Sequence, residues 1–156
     1  MGNAVLTKGT KVYVASAPQP DDLTKAEFEA LTWVDVCCPT SAPAFAQEAE
    51  IVSEFCIDGT EQVATGSASG METEMAVFYM EDCEGQDIMR EAFEGQPIAF
   101  KKEYPDGTTT TTPTTIYTRE LVTSNPDGDQ GVNEFITHTY TMKIVQPPIF
   151  VKPEAI

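Results

Sequence analysis

The sequence predicts an α+β domain, mostly antiparallel β, and three observations carry that expectation. Apolar and polar residues alternate with period two through most of the second half. Pro-Asp-Gly turn signals at 105–107 and 126–128 separate the alternating runs. A single well-formed amphipathic helix pattern stands before them. At 156 residues the chain is expected to form one domain, 1–156, with enough length to bury a core.

Taken in order, "KVYVAS" (11–16) reads as a first short strand after a loose arm over residues 1–10. Thr24 with Glu27 three residues later is a capping-box signature, and Phe28 and Leu31 beyond it suit a short helix. "TWVDVCC" (32–38) alternates as a strand with Trp33 as a core anchor. Residues 39–70 are small, polar and turn-rich around the weaker "IVSEFCI", which reads as a long inter-strand loop. "METEMAVFYMED" (71–82) has the apolar centre of a strand buried on both faces.

The helix pattern follows, at about 84–94. Ile88, Met89, Ala92 and Phe93 form one stripe, Glu84 and Asp87 lie at the end where the helix dipole favours them, and Gly95 and Pro97 stop it. "PIAFKKEY" then runs into Pro105-Asp106-Gly107, read as a hairpin turn. The threonine run after it reads as the polar beginning of the next strand, with Pro113 at an edge or bend. "VNEFITHTYTMKIV" (132–145) sets Phe135, Thr137, Thr139, Thr141 and Lys143 on one face and Ile136, His138, Tyr140, Met142 and Ile144 on the other. The C-terminal residues 147–156 are proline-broken and read as a second extended arm.

Twenty-five acidic residues against nine basic give a net charge of −16, which excludes tight nucleic-acid binding by phosphate neutralisation. Attraction of a cationic partner, repulsion of a polyanion and plain solubility all remain open. No apolar run approaches the roughly 20 residues of a membrane helix, and the first residues lack the apolar core of a signal peptide. No nucleophile elbow, phosphate loop, dinucleotide fingerprint or His-Glu-x-x-His occurs, so no catalytic, cofactor-binding or metal-ligating residue is expected. His138, the only histidine, falls on an apolar strand face and is expected in or near the core. Asn125, Asp127 and Asp129 alternate in "NPDGDQG", but a plain hairpin is the expected use of such a turn. Cys37, Cys38, Cys56 and Cys83 have no metal-site spacing and are expected as reduced thiols, with one of the adjacent pair buried and the other facing away.

The order of "KGTKVYVAS", "WVDV", a long connection with a Asp-Gly, a strand, one helix, "IAFKKEYPDGT" and "FITHTYTMKIVQPPIF" resembles the major tail tube proteins of long-tailed bacteriophages. That resemblance implies a β-sandwich- or barrel-like domain with one flanking helix; some members append a C-terminal immunoglobulin-like domain, and this chain is expected to be a minimal tube subunit without it. It implies a non-enzymatic virion protein whose hexameric rings stack into a hollow tube that DNA crosses without tight binding. The implied partners are further copies, then tape-measure, tail-terminator and tail-tip proteins, with assembly in the host cytoplasm and no membrane. Related tubes of secretion or phage-like particles share the pattern, and a monomeric β-sandwich that binds a ligand or partner is the alternative of a different class.

The same resemblance implies that the 39–70 loop and both arms bridge subunits or rings. Phe45, Glu48, Glu50, Phe55, Asp58, Glu61, Thr109, Thr111, Phe150 and Lys152 are the contact candidates. Glu103, Thr118, Glu120, Thr139 and Thr141 are the candidates for lining the lumen, from which Lys101, Lys102, Arg119 and Lys143 are departures.

Overall fold

The computed structural model describes residues 4–128 and 130–156; Asp129 of the acidic turn and the first three residues of the N-terminal arm lie outside the described residues. The elements are β1 (Lys11–Ala15), α1 (Lys25–Glu29), β2 (Trp33–Asp35), β3 (Gln47–Phe55), β4 (Glu61–Gly70), β5 (Glu72–Phe78), α2 (Glu84–Glu91), β6 (Ile98–Glu103), β7 (Thr115–Val122) and β8 (Thr137–Val151). Six of the strands form one curled antiparallel sheet in the order β2-β1-β6-β7-β8-β5, and β3 pairs only with β4.

Strand alternation builds the core. Val12 and Val14 on β1 lie in register with Lys102 and Phe100 on β6, and Ile98 with Glu120 on β7. Ile144 and Met142 on β8 continue that face, and Met75 and Val77 on β5 complete it. The opposite face of β1, β6 and β7 is covered too. Thr24 and Glu27 form the expected capping box, and α1 lays the buried Phe28 on the Tyr117 ring at 5.3 Å. Trp33 donates from Nε1 to the Phe28 carbonyl at 3.1 Å, and Arg119 reaches back to Asp22 at 2.8 Å. The central strand β7 is therefore buried on both faces.

β2 stops at Asp35 because Cys37 and Cys38 adopt left-handed φ of 59° and 47°. The chain then straps across the curl. Val36 N–H still donates to Val12 O at 3.2 Å, while Phe78 N–H donates to Cys38 O at 3.2 Å and Thr40 N–H to Ala76 O at 2.8 Å. This strap covers the β5 edge, which would otherwise be an open template for pairing. Cys37 is joined to Cys83 in a disulfide, and Cys38 and Cys56 are exposed free thiols, which corrects the expectation of reduced thiols throughout. A residue pair 46 apart in sequence meets only because the strap delivers Cys37 to the start of α2.

α2 carries the expected stripe, with Met89 and Ala92 buried and Ile88 packed against the core. Its first turn approaches the strap so closely that a Cβ at Gly85 would collide with the Asp35 carbonyl oxygen. The buried Gln86 amide ties three backbone segments, donating to Cys37 O at 3.2 Å and Phe78 O at 2.9 Å and accepting from Met80 N–H at 3.1 Å.

The 15-residue β8 alternates as expected through Ile144, then runs straight through Pro147 and Pro148. Arg119 pairs with Gln146 and Tyr117 with Ile149, so the two prolines stand opposite Thr118 alone. A bulge leaves residues outside the ladder, and prolines lacking an N–H are tolerated there. The C-terminus is accordingly no free arm. Ile156 N–H donates to Thr110 O at 2.8 Å, Thr112 N–H donates to Glu154 O at 2.8 Å, and Glu154 also meets Lys25 at 3.0 Å.

The threonine run is a loop rather than the start of β7. Tyr104 N–H donates to Thr114 O at 2.9 Å, and the Asp106 carboxylate takes both the Thr114 N–H and hydroxyl. Those bonds, the hydroxyl first, hold the Asp106 carboxyl below the usual carboxylate range. Between them Thr108 bonds Thr111 through both backbone and hydroxyls.

Residues 47–70, expected inside a loop, form the β3–β4 hairpin. Asp58 and Gly59 make its turn: Cys56 N–H donates to Thr60 O at 2.7 Å, Asp58 Oδ1 accepts Thr60 N–H at 2.9 Å, and Gly59 supplies φ of 88°. The strands are rich in Ala, Ser, Thr, Gly and Glu and wholly exposed, so the cross-strand ladder rather than burial defines them.

Candidate assembly surfaces

At about 3.3 Å per residue, the hairpin is an arm on the order of 30 Å long. It leaves the domain at Gly70, where a Cβ would collide with Ile144 and where the carbonyl accepts the Lys143 ammonium. Every residue from Gln47 to Ser69 is exposed. The register Phe55↔Glu61, Ser53↔Val63 and Ile51↔Thr65 puts Phe55, Val63 and Ile51 on one face. Phe55 is 71% exposed, and Ile57 at the tip is fully so. Nothing among the described residues covers this apolar face, which makes the arm a candidate surface for meeting another molecule.

The arm is also acidic. No Lys or Arg occurs between Lys25 and Arg90, whereas Glu48, Glu50, Glu54, Asp58 and Glu61 all lie on the hairpin. At the hairpin base the solvent face of β5 and β8 continues this character, with Glu74 opposite Thr141, Glu72 opposite Lys143 and Ala76 opposite Thr139. The only cation in that register, Lys143, is turned onto Gly70 O.

A second surface lies where the N-terminal arm passes the end of β6. Val5, Leu6, Ala42, Tyr104 and Pro105 wall a cleft of about 360 Å³, and Lys102 stands in its lining. The Lys102 ammonium donates to Pro43 O at 2.7 Å and lies 4.9 Å from the Phe45 ring centre. Burial pushes its pKa down, against the pull of Glu120. Lys8 and Lys11 flank neighbouring depressions along the same arm.

The contact candidates divide accordingly. Glu48, Glu50, Phe55, Asp58 and Glu61 come together on the hairpin and are exposed, and Thr109, Phe150 and Lys152 are also exposed. Phe45, by contrast, packs half-buried against its own core, and Thr111 bridges to Ala155 of its own chain. Of the lumen candidates, Thr139 and Thr141 share the solvent face of β8, and Glu103 pairs with Lys101 at 3.3 Å on another part of the sheet. Thr118 and Glu120 are fully buried, because β7 has the curl of the sheet on one side and α1 with its flanking loop on the other. Thr118 donates its hydroxyl to Gln146 O at 3.2 Å, but both Glu120 carboxylate oxygens lack a partner among the described residues. Burial raises the Glu120 pKa to about 8, with the Lys102 ammonium acting in the opposite direction. Sequence reasoning missed the pairing of residues 47–70 into a hairpin, the cleft, and the burial of Lys102, which it had set among the departures on the lumen face; the long span without a basic residue was the available signal for the first. Among the described residues no His, Cys, Asp and Glu cluster suits a metal ion, and no helix is long and apolar enough to cross a membrane.

No protein-family model matches the chain, and no curated protein matches it in sequence. Solved structures do. A subunit from the tail of an empty GTA particle, refined with C6 symmetry, superposes with a TM-score of 0.65 at 16% identity, covering 96% of this chain and 100% of that one. The SPP1 tail tube protein superposes at 0.64 with 11% identity, over 94% of this chain and 78% of that one. The fold is that of tail tube subunits. A chain from the sheath/tube terminator of the PVC extracellular contractile injection system shares it as well, at 0.67 and 9% identity over 97% of this chain and 99% of that one.

Proposed function

We propose that this chain is a structural, non-enzymatic tail tube subunit that polymerises as stacked hexameric rings into a hollow tube, through which DNA passes. The observation that carries this reading is a near-complete match in both directions with a chain from a C6-symmetric tail, in a molecule whose acidic hairpin arm is otherwise without a partner. The arm meets neighbouring copies, with Glu48, Glu50, Phe55, Asp58 and Glu61 at those contacts and Thr109, Phe150 and Lys152 at lesser ones. The polar face carrying Thr139 and Thr141, together with Glu72 and Glu74, lines the lumen. DNA carries one negative charge per roughly 1.7 Å, and an acidic wall free of outward cations keeps it from sticking. Tape-measure, tail-terminator and tail-tip proteins are the further partners, and the virion tail, assembled in the host cytoplasm, is the location.

Negative-stain microscopy of the purified protein, with its hydrodynamic size, tests this reading. Rings or tubes are expected. A monomer that persists at high concentration and in the presence of tail-assembly partners overturns it. The PVC match favours one second reading, the tube of an injection or phage-like particle. Finding the protein in sheathed, DNA-free particles from its source selects that reading over a phage tail.

A further inference from the structure

The hairpin tip and the N-terminal cleft are complementary halves of one contact on the same chain. The tip presents Phe55 and the fully exposed Ile57 beside Asp58, within a span that holds no cation at all. The cleft has apolar walls in Val5, Leu6, Ala42 and Pro105, with the ammonium of Lys102 at its lining and Lys8 and Lys11 alongside. Lys8 and Lys11, two of the nine basic residues in the molecule, line depressions next to this cleft, with Asp106 and Glu103 beside them, while the Lys102 ammonium is buried and bonded to Pro43 O. The arm projects from Gly70 with its whole length in solvent, so its tip is free to meet another molecule.

We propose that the Phe55–Asp58 tip of one copy docks in the Val5–Leu6–Ala42–Lys102 cleft of the next, its apolar side chains on the walls and Asp58 facing Lys8 and Lys11. The occupant is a second copy of this chain, and charge complementarity is the argument for it. Tip and cleft are different patches, so the contact is heterologous: each copy gives a tip and receives one, and the chain of contacts closes into a ring or runs on from ring to ring. This inference rests on the tube-subunit reading and names the site at which one subunit receives another.

The tip carries its own reporter, the exposed thiol of Cys56. In a Cys38→Ser background, Leu6→Cys or Ala42→Cys places a second thiol at the cleft rim. Assembled particles are oxidised and run on a non-reducing denaturing gel. Docking gives a ladder of dimers, trimers and larger species, and the ladder disappears when Cys56→Ser is added. Particles that form normally without a ladder from either cleft position overturn the docking and leave the tube reading standing. Protein that does not assemble in any background overturns both. As a second measure, Ile57→Ser, which leaves the domain core untouched, raises the critical concentration for assembly roughly ten- to hundredfold, the range expected for losing one buried aliphatic side chain. An unchanged critical concentration overturns the docking. Asp58→Lys raises it too, and adding Lys8→Glu restores part of the loss if the two residues face each other across the contact.

Discussion

Replacing Glu120 by glutamine changes how the domain responds to pH, in a direction the structure sets. Glu120 is fully buried on β7 between Ile98 and Ile144 in register, with neither carboxylate oxygen hydrogen-bonded. Burial lifts its pKa from 4.5 to about 8. The folded form therefore binds this proton more tightly than the unfolded chain does. The associated stability is fully present below pH 4.5, declines as pH rises through the window up to about 8, and is lost above it. At about 1.4 kcal/mol per pH unit, raising the pH from about 5 to about 8.5 removes about 4 kcal/mol, a large share of the stability of a domain this size. Glutamine matches the neutral acid in shape and does not ionise. Urea unfolding at a series of pH values reads the difference, because the other titrating groups act alike in both proteins. The stability of Glu120→Gln relative to the parent is expected to climb by about 4 kcal/mol across that range. Parallel curves refute the buried, partnerless carboxylate. Lys102→Met, which removes the opposing ammonium, is expected to carry the decline on to higher pH than in the parent.

Three further outcomes follow from the packing. Replacing residues 48–69 by a short Gly-Ser link leaves the domain folded, since the hairpin meets it only at the base, but abolishes polymerisation; circular dichroism and microscopy of the same sample check both halves. Gly85→Ala drives a methyl group into the Asp35 carbonyl oxygen and is expected to cost roughly 1–3 kcal/mol in chemical denaturation. Reducing the Cys37–Cys83 disulfide, which spans 46 residues, is expected to cost roughly 2–4 kcal/mol, with an unchanged midpoint under reductant as the contrary result.

Elements with a strong local signature were readable from sequence. The Thr24–Glu27 capping box, the Met89–Ala92 stripe of α2 and the alternation of Tyr140, Met142 and Ile144 each state their structure within about ten residues. The hairpin was not readable, because its strands are exposed on both faces and their few apolar residues, Ile51, Val52, Phe55 and Val63, do not hold a strict alternation. Thr118 and Glu120 misled for the opposite reason. Their polarity pointed outward, while the burial of β7 on both sides is decided by Phe28, Trp33 and Asp22, more than 80 residues earlier in the chain. The Cys37–Cys83 bridge and the tethering of the C-terminus to Thr110–Thr112 depend in the same way on where distant segments cross. The resemblance to tube proteins, carried by the order of segments rather than by any one motif, agrees with the fold.

The long span without lysine or arginine also determines how the molecule is cut. Trypsin has no site between Lys25 and Arg90, so it releases the hairpin intact in the fragment Ala26–Arg90, with the strap, both free thiols and the disulfide aboard. A glutamate-specific protease finds the arm bristling with exposed sites at Glu48, Glu50, Glu54 and Glu61. Digested side by side, free subunits and assembled particles differ at those four bonds if neighbouring copies cover the arm. The charge pattern thus turns two common enzymes into a footprint of the one element that the domain does not bury itself.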